Sequence, residues 1–215
     1  QRGQRWFYAT AHNELIFSEI GNPARIAPTS IININTSDDD AITALKEFSG
    51  GLLIFKRRSV FYLSGWDFAG GSDIALTRLN VTSGTAFAKT VQLVENAVLY
   101  LGENGVYRLY VPAGGYQVAA EHISERRISQ ALFSEGALQD AYAAVWDNTY
   151  YLSVRAAASS AAVREYRYFP ALDAFYGPYT QEATCYALLA DGRLYLGAYN
   201  GYLLAYDRDS RRYIS

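Results

Sequence analysis

A single cysteine, Cys185, is all the thiol chemistry this chain has, and methionine is absent altogether. One cysteine excludes an intramolecular disulfide and any metal site built on several thiolates. Set in the apolar run "ATCYALL", Cys185 is expected as a small buried packing residue. Histidine is nearly as scarce: His12 and His122 are the whole supply, and neither has the second histidine nearby that a zinc-binding pair requires. The nucleophile elbow G-x-S-x-G is missing. No apolar run approaches the ~18 residues of a membrane helix, and no charged-then-apolar leader opens the chain, so a soluble protein without membrane insertion is expected. Charge is sparse too, at 19% of residues with a net of −2, which excludes the broad basic surface that general nucleic-acid binding draws on and leaves room only for a local basic strip. A chain without Met that opens on Gln1 is expected to be a processed product or a piece of a longer one.

What the sequence has in quantity is apolar and aromatic surface: half of its 215 residues are hydrophobic, with 19 Tyr, 10 Phe and 3 Trp, enough to bury a sizeable core. That surface is arranged in repeats. "LYLGENGVYRLYV" (99–111) returns as "LYLGAYNGYLLAYD" (194–207), and both belong to a larger set of strand meanders at 42–65, 90–111, 141–179 and 183–207. Aligned on Leu52, Val98, Thr149 and Arg193, the set has a period of about 45–50 residues, which with three or four strands per repeat is the pattern of a β-propeller. Each blade is a small sheet that must stack on its neighbours to bury both faces. A β-sandwich is the competing architecture, but it gives no reason for strand pairs to recur in step with their turns.

The expected fold is therefore all-β: one propeller domain over 1–215 with about five small antiparallel blades, at roughly 1–40, 41–80, 88–120, 138–180 and 182–215. The first is incomplete. Residues 5–11 and 14–21 form a hairpin around His12-Asn13, 24–34 supply an outer strand, and nothing before them provides an inner one. The terminal "RRYIS" (211–215) is expected to return as that missing strand, unless residues beyond this chain complete the ring. One short helix is expected near 124–133, from the stripe Ile128, Ala131 and Leu132 after a possible N-cap at Ser124.

Candidate sites are few, and no catalytic residue or cofactor is expected. Asp38, Asp39 and Asp40 gather oxygen in one loop and are weak candidates for a cation, although they lack the alternating spacing of a calcium loop. Lys56, Arg57 and Arg58 on a tight turn, and Arg126 and Arg127 after Glu125, are candidates for an interaction rim. Trp66, in the glycine-marked "GWDFAGG", is the candidate exposed platform. Most tyrosines stand at alternating strand positions, as in "TYYLSV" and "REYRYF", where packing between blades is expected of them.

In the order in which they occur, "ITALKEFSGGLLIFKRRSVFYLSG", "LTRLNVTSGTAFAKTVQLVENAVLYLGENGVYRL", "ISERRIS" and "DNTYYLSV" resemble β-propeller virion proteins of tailed bacteriophages, of the tail nozzle, hub or tail-tip type. The resemblance covers roughly 5–180. It implies a non-enzymatic structural role in the virion, with other tail proteins as partners, a homo-oligomeric ring about the tail axis, and contact with passing DNA or a host glycan. The last repeat, "DGRLYLGAYNGYLLAYD", is more similar to the generic repeat of PQQ-type and outer-membrane-assembly propellers. A carbohydrate- or receptor-binding propeller, and more remotely a PQQ-type enzyme, are the alternatives these resemblances leave.

Overall fold

The computed structural model describes residues 5–35, 38–65, 74–125, 128, 132, 137–155, 163–181, 183–198, 201–207 and 212–214. They contain nineteen strands in five antiparallel sheets. The chain divides into two compact units, Gln1–Ala86 and Phe87–Ser215.

The first unit holds two sheets. The hairpin of β1 (Phe7–Ala9) and β2 (Glu14–Phe17) is joined by β3 (Ile31–Asn33) into a three-stranded sheet, one strand short of the others. β4 (Ile42–Phe48), β5 (Gly51–Lys56), β6 (Val60–Ser64) and β7 (Ala75–Arg78) follow as a four-stranded meander. Period-two alternation sends Leu52 and Ile54 to one face of β5, where with Phe61 and Leu63 they close on Leu15 of the first sheet and on Ile34, just past β3. The turn between β4 and β5 is Ser49-Gly50, both at positive φ, as a two-residue hairpin requires.

The second unit stacks three sheets in chain order. β8 (Gln92–Val94), β9 (Ala97–Gly102), β10 (Gly105–Tyr110) and β11 (Ala119–His122) form the first. β12 (Ala137–Trp146), β13 (Thr149–Arg155), β14 (Val163–Phe169) and β15 (Ala174–Gln181) form the second. β16 (Ala183–Leu188), β17 (Leu194–Ala198), β18 (Leu203–Asp207) and β19 (Arg212–Ile214) form the third. Leu99, Leu101 and Val106 of the first sheet pack against Tyr150, Leu152, Tyr166 and Tyr168 of the middle one. On the opposite face of that middle sheet, Tyr151 packs against Tyr186, Leu194, Leu196 and Tyr206 of the third. Sheets of this size cannot cover their own faces, and the tyrosines at alternating positions fill the seams.

The structure places several of the segments read in the sequence differently from expectation. β19 pairs with β18, Ala205 opposite Ile214, and so completes its own sheet instead of serving the first. His122, just ahead of the expected helix, lies within β11 with its ring stacked on Tyr107 at 4.6 Å. Ser124 is buried and its Oγ accepts the N–H of Val106 at 2.8 Å. Most of the helix expected near 124–133 falls outside the described residues; Ile128 and Leu132, which are described, donate backbone bonds four residues back, to Ser124 and Ile128. Cys185 is exposed, because the alternation of β16 gives the inward position to Tyr186. No helix among the described residues is long and apolar enough to cross a membrane, which says nothing of a crossing made by strands.

Candidate functional site

The acidic loop and the basic turn, read separately in the sequence, meet in the first unit. Lys56 ends β5 with its side chain fully buried, and its ammonium spends its three protons on Ile34 O (3.0 Å), Asn35 O (3.0 Å) and Asp38 Oδ1 (2.6 Å). That removes Lys56 from any interaction rim. Burial pushes the Asp38 carboxyl upward, but the hydrogen bonds from Lys56, the Asp40 N–H and Asn35, with the Lys56 charge, outweigh it and leave the group below the usual carboxylate range. Asp40, buried, accepts the N–H groups of Arg57 (2.9 Å) and Arg58 (3.0 Å). Asp39 is exposed, in the left-handed region at φ 50°. Among the described residues no cluster of three or more His, Cys, Asp or Glu could hold a metal. Arg57 and Arg58 are exposed on a turn whose backbone Asp40 pins, while Trp66, Arg126 and Arg127 lie outside the described residues.

The most developed site is one that sequence reasoning passed over. Between the second and third sheets of the second unit opens a cleft of about 810 Å³, walled by Trp146, Tyr151, Phe169, Tyr176, Tyr179 and Tyr206, with Arg167 among them. Arg167 sits on the central strand β14, opposite Tyr151 on β13 and Tyr176 on β15. Its guanidinium faces three rings, at 4.5 Å from the centroid of Tyr179, 5.1 Å from Tyr206 and 5.3 Å from Tyr151. Two residues earlier on the same face, Glu165 is 0% exposed and accepts from Arg167 Nε at 2.7 Å, with Nη2 also at 2.7 Å. Tyr186 donates its hydroxyl to the other carboxylate oxygen at 2.5 Å and also bonds Ser153; Arg167 Nη1 donates to Tyr206 Oη at 3.0 Å.

The electrostatics follow from this packing. Burial works against the Arg167 charge, but the Glu165 carboxylate more than compensates and holds the guanidinium protonated. Burial, with Tyr206 beside it, keeps the Tyr151 hydroxyl a neutral phenol. The site therefore presents flat rings, tyrosine hydroxyls and a cation already balanced within the protein. Such a set can stack and donate hydrogen bonds, and Asp147 and Thr149 add a carboxylate and a hydroxyl to the lining. Trp146 is held edge-on by its Nε1–H, which donates to Gly192 O at 2.7 Å, while Tyr176 (46% exposed) and Tyr179 (40%) form the open wall.

A signal for this site is present in the sequence. "YRLY" (107–110) and "YRYF" (166–169) are the same phrase in consecutive repeats, and Arg108 occupies the place of Arg167 one sheet earlier: each lies opposite the third residue after a two-residue turn, Leu99 and Tyr151 respectively.

No family model and no curated protein matches the chain. Solved structures do. A protein from Lactobacillus plantarum is similar at 13% identity and a TM-score of 0.61, over 98% of this chain and 66% of its own. BamB from Moraxella catarrhalis is similar at 15% and 0.52, over 98% of this chain and 60% of its own. An extracellular domain from B. thetaiotaomicron is similar at 14% and 0.56, where this chain, covered to 96%, spans a quarter of its length. At such identities the likeness speaks for the fold alone, and that fold is the β-propeller, each sheet described above corresponding to a blade.

Proposed function

We propose that this chain is a recognition module without catalytic activity, a β-propeller segment whose cleft around Arg167 takes a carbohydrate. The observation that carries the reading is the wall of six aromatic side chains around a charge-compensated arginine. A sugar ring offers apolar C–H faces and hydroxyl edges; flat tyrosine and tryptophan rings suit the faces, and the Arg167 donors with the tyrosine hydroxyls suit the edges. The resemblance to tail-tip propellers supplies a setting, in which the glycan belongs to a bacterial surface. The test is a glycan array followed by titration of the hits on tryptophan fluorescence, with Trp146→Phe as the control for the reporting residue. A hit should perturb the emission of the native chain and not that of the variant, and Tyr179→Ala should weaken binding about tenfold. Silence across the array counts against the reading.

A second reading, structural assembly within a phage tail, is favoured by Arg57 and Arg58, two exposed cations on a turn that Asp40 makes rigid. It expects ring-shaped oligomers that co-purify with tail particles. A strictly monomeric chain absent from such particles rejects it.

A further inference from the structure

The Arg167 cleft has a smaller counterpart one seam earlier, and the two are neighbours. Between the first and second sheets of the second unit a cavity of about 320 Å³ is lined by Arg108, Tyr110, Tyr168 and Pro170, together with Glu95 and Asn96 of the β8–β9 turn. Arg108 repeats the chemistry of Arg167. It pairs with a carboxylate, Glu121, at 2.5 Å; its guanidinium lies 5.2 Å from the centre of the Tyr110 ring; and its Nη1 reaches a tyrosine of the next sheet, Tyr168, at 3.4 Å. Its donors are under-used. The bond to Tyr168 is long, and the buried Nε has no hydrogen-bond partner among the described residues.

The placement of the two clefts follows from one strand end. Consecutive residues of β14 and its continuation alternate between them, Arg167 and Phe169 to the larger, Tyr168 and Pro170 to the smaller. The turns on their margins are tied together, since Asn148 Nδ2, next to Asp147 of the large cleft, donates to Glu95 of the small one. Both clefts therefore open at the same end of successive seams, separated by one sheet, about 10 Å in stacked sheets.

We infer that the two clefts are consecutive subsites for one linear oligosaccharide that crosses the end of the β12–β15 sheet, with Arg167 and Arg108 each donating to sugar oxygens of the same chain. The inference rests on the carbohydrate reading above and adds to it a ligand that repeats along its length. A periodic ligand matches a periodic protein, and a second subsite on a tethered chain is filled at a high effective concentration.

The experiment is isothermal titration of the full chain with chito-, malto- and cello-oligosaccharide ladders from one to six sugars, and with size-fractionated O-chain released from bacterial lipopolysaccharide. Affinity should rise about tenfold or more as the ligand lengthens past the large cleft. Arg108→Ala should flatten that rise, and so should Tyr110→Ala, which leaves the Arg108–Glu121 pair in place and guards against a folding defect. Affinity that stops rising at the disaccharide, with both variants silent, overturns the two-subsite inference and leaves the carbohydrate reading intact. Absence of binding to every ladder and to the O-chain overturns both. So does a proline-rich peptide that occupies the Arg167 cleft in place of sugar, the other class of ligand that aromatic grooves take.

Discussion

Glu165 and Arg167 form an ion pair that water barely reaches, so each side chain is tolerable only beside the other. Removing one member of a buried pair strands the second charge, whereas replacing both with apolar groups removes the problem along with the interaction. Glu165→Ala should accordingly cost about 3–5 kcal/mol of stability in urea unfolding. The double variant Glu165→Leu with Arg167→Met should cost clearly less than that single change. A double variant as unstable as Glu165→Ala would show that the pair stabilises the fold beyond cancelling its own burial. Lys56 and Cys185 mark the limits of reading residues singly: composition assigns the lysine to the surface and the cysteine to the core, and the structure reverses both. Lys56 is buried because two backbone carbonyls and Asp38 from a loop some twenty residues earlier receive its protons. That partnership joins segments whose proximity only the packed chain creates.

At the scale of single elements, the open wall of the Arg167 cleft depends on an irregularity in β15. Its register against β14 runs from Glu165 opposite Tyr179 to Arg167 opposite Tyr176, so one extra residue is taken up on β15, and the bulge aims both tyrosines along the cleft. Gly177 makes it feasible. Its φ is +119°, and a Cβ built there would stand 2.6 Å from the Glu165 carbonyl oxygen. Gly177→Ala should therefore destabilise the chain by about 1–3 kcal/mol and weaken glycan binding with it, measurable by thermal unfolding and titration of one preparation. Unchanged stability would mean that β15 has another way to absorb its extra residue. The repeat phrases made the hairpins legible, since alternation and two-residue turns are local properties. The bulge was not, because "FYGPYT" reads only as a strand with an interruption; nor was the fate of β19, which depends on which edge lay within reach.

Across the second unit, the stacking of three sheets makes stability a matter of neighbours. Leu152, fully buried between the first and second sheets, offers a way to test this. Leu152→Ala should cost about 2–5 kcal/mol. In amide hydrogen exchange the lost protection should concentrate in β8–β11 and β12–β15, with β16–β19 less affected. Uniform loss over every strand would instead describe a single cooperative unit. The amino-acid sequence alone determined the class of fold and its period, because a propeller blade is a short meander whose alternation and turns are written within about 45–50 contiguous residues. It also contained, in "YRLY" and "YRYF", the arginines of both clefts. Only the tertiary structure decided that these arginines pair with carboxylates among tyrosines, Arg167 buried and Arg108 half-buried, because the rings around Arg167 come from five strands of two sheets. Their convergence is a property of how sheets stack, and no local pattern encodes it.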